Sequence, residues 1–332
     1  LPKRVNYGHY LILLLSSVST PVPPSEPRLS APIDLLRVRD LFADPEQVRE
    51  SAFLRREVAA RMHERLALVR LAPQRVLDAG CGDGADLAGL QKRFADAQLV
   101  GIDASEAMLR AAGGLQSSAW AALNGILGQW LPGRMRIGKA AGQPYLIGGD
   151  FASLPFAAGS FDLVWSNLAL HWHPQPDRVY AEWRRILRTE GLLMFSCFGP
   201  DTLKELRGAF RALDDRSHVL PFVDMHDFGD MLVEAGFSTP VMDMETITLT
   251  YDNVDKLWAD VRAFGGNPLA TRRRGLISRA GWQRVIDVLE NSRAADGRIP
   301  LSFEIIYGHA FRPVPRKTSR GESIIRFDPP RN

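Results

Sequence analysis

Cysteine is nearly absent: Cys81 and Cys197 are the only two in 332 residues, and they lie far apart. That excludes a disulfide-stapled fold, and the lack of a CxxC pair or a cysteine and histidine cluster at ligand spacing argues against a metal centre. An excess of charge of one sign is also missing. Forty-one basic against 38 acidic residues leave a net +3, and the seven tryptophans are dispersed without a basic groove pattern, so no nucleic-acid partner is expected. Long apolar runs are lacking as well. The stretch Tyr10 to Leu15 is too short to span a membrane, although it follows Lys3 and Arg4, precedes the Pro-rich Ser16 to Pro27, and so resembles a weak secretion signal without a clear cleavage site. A disordered leader over residues 1–32 and a reducing, cytoplasmic setting are the expectations.

What is present is 45% hydrophobic and 24% charged residues, enough for one substantial core or one core plus a lid. Apolar residues from Leu35 through Val48, Leu54 and Val58 to Met62 recur at three- and four-residue steps, predicting amphipathic helices over 33–72. From 73 to 198 short apolar runs alternate with helical patterns. Arg75 to Ala79, Gln98 to Asp103, Tyr145 to Gly148, Phe161 to Trp165 and Leu192 to Phe198 read as strands, with helices after the first, second and fourth. Such βα alternation predicts a doubly wound α/β fold with a mostly parallel sheet. The rhythm breaks over 113–142, which reads as an insertion. Beyond 198, strand-like runs at Val241 to Tyr251 and Leu301 to Phe311 enclose helical stretches at Val254 to Phe264 and Gly281 to Leu289, so 199–311 reads as the end of the sheet carrying a helical lid. Residues 312–332 are expected to be a mobile tail.

The most informative stretch is Val76-Leu-Asp78-Ala-Gly80-Cys81-Gly82-Asp-Gly84, a strand running into a helix through glycines. Glycine lets the backbone turn sharply and lets a ligand approach where a Cβ would collide, and the helix start supplies free N–H donors. Gly80, Gly82 and Ala85 also satisfy the fingerprint of a nicotinamide or flavin dinucleotide site. Against a pyrophosphate stands Asp78, whose negative charge at the strand end suits a cationic cofactor better. Asp103 closes the second strand, placed to accept from ribose hydroxyls, a role common to both kinds of site.

Four segments in order, VLDAGCGDG, GID ending at Asp103, GGDFASLPF with Asp150, and FDLVWSN with Asn167, resemble the class I S-adenosylmethionine-dependent methyltransferases. The resemblance implies a seven-stranded, Rossmann-like methyltransferase sheet with an antiparallel last hairpin. It also implies that Gly80 and Gly82 flank the methionine part of S-adenosyl-L-methionine, Asp103 holds the ribose, Asp150 and Phe151 meet the adenine and Asn167 borders the methyl group, with Asp78, Cys81 and Ala104 as further cofactor-binding residues. SNLALHW, FSCFG, DTLKEL and the later FGGN, RGLISR and GRIPLSFE narrow the resemblance to the malonyl-acyl-carrier-protein O-methyltransferases of biotin synthesis and the related mitochondrial complex I assembly proteins. It covers roughly Leu35 to Phe311. The implied reaction is methylation of the free carboxylate of a malonyl thioester on acyl carrier protein. Methylation of another small molecule, a respiratory-complex assembly role and a nicotinamide dehydrogenase are the competing readings.

A carboxylate is already ionised at neutral pH, so substrate-orienting residues are expected rather than a catalytic base. His171 and Trp172 follow Asn167 at the carboxyl end of a strand and are candidates for orienting and binding substrate; core packing accounts for them equally well. Arg273 and Arg274, within a basic cluster that includes Arg272 and Arg279, suit a carboxylate clamp or an acidic carrier protein, and a solvated helix end is the plain alternative.

Overall fold

The computed structural model describes residues 31–113 and 144–314. Most of the expected leader, almost all of the insertion at 113–142, and the tail beyond 314 lie outside the described residues. Arg312, the first residue of the expected tail, is tied to the sheet: its N–H donates to the Gly191 carbonyl at 2.9 Å.

Three helices come first, α1 (Leu35–Leu41), α2 (Pro45–Glu50) and α3 (Ala52–Ala67). Side-chain caps set the entries of α1 and α2. Asp34 accepts from the Arg37 N–H at 3.1 Å, and Asp44 from the Glu46 and Gln47 N–H groups, with Pro45 at the first helical position. Along α3, Leu54, Val58, Met62 and Leu66 sit four residues apart, and all are buried. This stripe lies against β4 (Phe161–Asn167) and β5 (Leu187–Phe198).

Strand β1 (Arg75–Ala79) leads through the glycine loop into α4 (Ala85–Arg93), then β2 (Gln98–Asp103), a helical run over 106–113 (α5), and β3 (Tyr145–Gly148). After β4 a single 3-10 turn at Leu170–Trp172 precedes α6 (Pro176–Ile186), which feeds β5. The remaining elements are α7 (Lys204–Phe210), α8 (Met225–Glu234), β6 (Ser238–Tyr251), α9 (Val254–Ala263), α10 (Arg279–Asn291) and β7 (Ile299–Phe311). The strands form one seven-stranded sheet in the order β3-β2-β1-β4-β5-β7-β6. All pairings from β3 to β5 are parallel, and β7 runs antiparallel to both β5 and β6.

Central strands are buried on both faces, which is why β4 and the second half of β5 read as continuous apolar runs rather than alternating ones. One face is covered by α3, α4, α9 and α10, the other by α6 and α8, whose Val179, Tyr180, Trp183, Phe228 and Leu232 form a second core layer. The edge strand β6 instead alternates half-buried and exposed residues. Between β6 and β7 the chain leaves the sheet as α9 and α10, begun by an Asn253 cap and a Ser278 cap, so a helical insertion interrupts the last hairpin.

Candidate cofactor site

The glycine loop turns as its composition demands. Gly80, Gly82 and Gly84 have φ of 81°, 54° and 77°, in the left-handed region that side chains disfavour. Gly80 is also sterically obligatory, because a Cβ there would lie 2.4 Å from the Ala169 Cβ. Both the Gly80 and Cys81 N–H groups donate to the Ile102 carbonyl, at 2.8 and 3.0 Å, which holds the loop over the end of β2. Cys81 packs inward: a Cβ at Gly101 would come within 2.8 Å of its sulfur. Burial and the neighbouring Asp78 and Asp103 push its thiol well above the usual range, so it is an inert packing group.

Acidic groups converge on this loop. The Asp78 side chain is 1% exposed, and its Oδ2 has no hydrogen-bond partner. Burial raises its pKa well above the ordinary carboxylate range, and Asp86, Asp103 and Asp83 push it further. Asp103 accepts from the Gly82 N–H at 2.9 Å through one oxygen and from the Ser105 N–H at 2.7 Å through the other. Asp86 is tied to the sheet, accepting from the Trp165 indole N–H at 3.0 Å and the Asn167 amide at 2.9 Å. The same Asn167 amide donates to the Arg55 carbonyl at 3.0 Å, and its oxygen accepts from the Ser196 hydroxyl at 2.9 Å. Next to it Leu168 holds φ of 50°, a strained conformation at the wall of the site.

Asp78, Gly80, Cys81, Gly82, Asp86, Asp103, Asn167 and Leu168 line a cavity with an empty volume of about 850 Å³, its mouth included, at the carboxyl ends of β1, β2 and β4. That is the crevice in which open α/β sheets hold ligands. Helices α1 to α3 form its roof through Val38, Phe42, Ala52 and Arg55. Four carboxyl groups, Asp78, Asp83, Asp86 and Asp103, face two guanidinium groups, Arg55 and Arg56. An acid-rich wall with one uncompensated buried oxygen fits a ligand bearing ammonium or sulfonium charge and opposes a pyrophosphate. Arg55 donates to the Ser51 hydroxyl and the Val48 carbonyl, both at 2.8 Å, which fixes its guanidinium at the cavity wall. Beyond Ala104 and Phe151 the cavity adjoins a wider groove that Asp150, Ser105 and Leu36 help to line.

Residues 77–195 match the family model for a methyltransferase domain. The malonyl-[acyl-carrier protein] O-methyltransferase of Laribacter hongkongensis is 48% identical over 84% of this chain and 90% of its own length. Those of Gallionella capsiferriformans and Nitrosospira multiformis are 44% and 45% identical over 89% and 86% of this chain, covering 96% and 91% of theirs. The chain belongs to the malonyl-[acyl-carrier protein] O-methyltransferase family. A crystal structure from Bacillus halodurans C-125 shares the fold at 19% identity and a TM-score of 0.51, covering 77% of this chain and 99% of that one. The fold class expected from the sequence, a class I methyltransferase sheet, is the one observed.

Within this family member the cavity gathers Asp78, Gly80, Cys81, Gly82, Asp103, Ala104, Phe151, Asn167 and Trp172, while Asp150 lies on the adjoining groove. Asp150 accepts from the Ala152 N–H at 2.8 Å, so it also shapes its own turn. His171 lies elsewhere. It is buried off the cavity among the rings of Phe198, Phe222 and Trp172, receives the Phe198 N–H on Nδ1 at 3.4 Å, and leaves Nε2 without a partner. Burial pulls its pKa down to about 3, so the imidazole is neutral. Arg273 is engaged by Asp214 at 2.8 Å and by the Leu276 carbonyl, and Arg274 is exposed; neither reaches the cavity. Arg55 and Asp86, which sequence reasoning did not single out, also line the cavity. Arg55 belongs to a helix remote from the glycine loop in sequence, whereas Asp86, in the first turn of α4 directly after the loop, offered a signal of position. No metal-holding group of three or more His, Cys, Asp or Glu, and no helix long and apolar enough to cross a membrane, occurs among the described residues.

Proposed function

We propose that this chain transfers the methyl group of S-adenosyl-L-methionine to the free carboxylate of a malonyl group carried as a thioester on acyl carrier protein, masking its charge for biotin-precursor synthesis. The observation that carries the cofactor's place is the partnerless Asp78 oxygen in the acid-rich wall, positioned for the ammonium of the methionine part. Arg55 then meets the methionine carboxylate, Asp103 takes the ribose hydroxyls with the oxygen lone pairs its two backbone bonds leave, and Phe151 with Asp150 borders the adenine. The acceptor is supported by the relatives' named substrate, shared by all three. A cytoplasmic setting belongs to the same proposal and agrees with two buried, unpaired cysteines.

Bound there, S-adenosyl-L-methionine supplies an electrophilic methyl on a sulfonium whose departure leaves a neutral thioether. The chain's own residues do the rest by placement. A malonyl carboxylate is ionised at neutral pH and attacks directly, so no side chain need accept a proton. Asn167, held through Asp86, Arg55 and Ser196, fixes the end of β4 beside the reacting atoms. The Phe42 and Trp172 rings, 5.3 Å apart edge to face, keep water from the cavity. The test is growth: expressed in a biotin auxotroph that lacks its own malonyl methyltransferase, this chain restores growth without biotin. Failure of the full-length, expressed protein to do so refutes the acceptor.

A further inference from the structure

A second cavity, about 920 Å³ with its mouth, lies on the far side of Trp172 from the cofactor site. Trp172 lines both. The second cavity sits over the carboxyl end of β5, at Phe198, and is closed by α7, the segment 218–222, α9 and the turn after α9. Its walls are mostly apolar, with Phe198, Phe264, Val261 and Trp258 prominent. The turn makes this closeness possible: Gly265 has φ of 110°, and a Cβ on it would lie 2.8 Å from the Trp172 ring.

Polar groups are few. His218 pairs through Nε2 with Asp214 at 2.7 Å, stacks on Phe210 at 4.2 Å, and accepts on its carbonyl from the Asn267 amide at 3.0 Å. Asp214 is in turn gripped by Arg273 at 2.8 Å. The chain Arg273, Asp214, His218 thus stiffens the wall of this cavity, a structural account of an arginine that does not touch the cavity itself. Arg262 also lines the cavity, is exposed, and forms no side-chain hydrogen bond or ion pair among the described residues. Roof and lid are fastened together here, since Ser51 donates to the Ala263 carbonyl at 3.0 Å and Gln47 to the Arg262 carbonyl at 3.0 Å.

We infer that this cavity is the acyl-thioester site, with the malonyl carboxylate directed past Trp172 toward the cofactor and the carrier's arm leaving over Arg262. The inference rests on the acceptor proposed above and adds where it binds. The chemistry matches end to end. A thioester and its uncharged arm need apolar walls with a few fixed polar groups, and the arm's phosphate, followed by an acidic carrier surface, needs a cation with no other partner at the exit.

The test is steady-state methyl transfer to malonyl-acyl carrier protein by Val261→Phe, which fills the cavity, and Arg262→Glu, which reverses the exit charge. Calorimetry with S-adenosylhomocysteine controls for the fold and for the first cavity, which neither residue lines. The expected result is a KM for the carrier substrate raised about tenfold in Val261→Phe and roughly fivefold in Arg262→Glu, with S-adenosylhomocysteine affinity within about twofold of wild type. If Val261→Phe loses the nucleoside through misfolding, the exposed Arg262→Glu decides alone. Unchanged KM with intact nucleoside binding overturns the inference. An unaltered enzyme that methylates no malonyl thioester instead overturns the functional reading beneath it.

Discussion

Replacing Asp78 with asparagine separates affinity from stability, because the two should move in opposite directions. In the free protein the Asp78 carboxyl is buried, has one oxygen without a partner, and faces Asp86, Asp103 and Asp83, all of which make its ionised form unfavourable. Each unit by which folding raises such a pKa destabilises the folded protein by about 1.4 kcal/mol at neutral pH. The sign follows from proton binding: the folded state holds this proton more tightly than the unfolded chain, so the contribution is fully favourable below the ordinary carboxylate pKa and is lost as pH rises through the raised one. An asparagine side chain keeps the shape and never ionises. Asp78→Asn is therefore expected to melt at least as high as wild type at neutral pH, roughly 2 °C higher per kcal/mol recovered, with the difference vanishing toward about pH 4. Bound cofactor reverses the ranking. A hydrogen bond to a charged group is worth about 1.5–3 kcal/mol, so the variant should bind S-adenosylhomocysteine roughly ten- to a hundredfold more weakly. Thermal melts across pH and calorimetry at neutral pH check both halves. An unchanged dissociation constant would refute the assignment of Asp78 to the methionine ammonium, and a large fall in the melting temperature of the free protein would refute the account of its uncompensated charge.

Gly80→Ala combines a left-handed backbone with a 2.4 Å clash against Ala169, and is expected to lose about 1–3 kcal/mol in urea unfolding together with most nucleoside affinity. Arg55→Gln should weaken S-adenosylhomocysteine by about tenfold or more while leaving methylthioadenosine, which lacks the amino-acid part, unaffected; equal losses for both ligands would contradict its role at the carboxylate. His171→Phe should leave nucleoside affinity within about twofold of wild type, because the ring lies off the cavity. Its pKa of about 3 in the folded protein means that wild type loses stability as pH falls below the ordinary histidine value of 6.5. Over that window the Phe variant should show a flatter acid limb in its melting curve.

The β1 to β2 half of the fold was legible because parallel strands buried on both faces carry largely apolar runs, and the observed β1 and β2 coincide with those read from the residues, as does the half-exposed edge strand β3. Strand β5 proved longer than its apolar part. Leu187 to Gly191 carries Arg188, Thr189 and Glu190, which are exposed, so only the buried half announced itself. Pattern also sufficed for the helices between β6 and β7, since α9 and α10 have clear apolar stripes and capping residues. Side-chain placement was less legible. The glycine loop dictates where a ligand approaches, but whether His171 turns toward the cavity or into the core depends on the single 3-10 turn after β4, whose direction no local spacing encodes. Arg273 was singled out for its charge, and only the fold shows Asp214 claiming it. Arg55 reaches the site because α3 packs across the ends of β4 and β5, a tertiary contact invisible to any window of sequence.

The central claim is tested most directly by intact-mass measurement of malonyl-acyl carrier protein incubated with the purified enzyme and S-adenosyl-L-methionine. The account predicts a gain of one methyl group on the malonyl-loaded carrier, lost together with the malonyl group when hydroxylamine cleaves the thioester and absent when the cofactor is omitted. A carrier whose mass stays unchanged under conditions where the enzyme binds S-adenosylhomocysteine would contradict it, as would a methyl group that remains on the carrier protein after thioester cleavage.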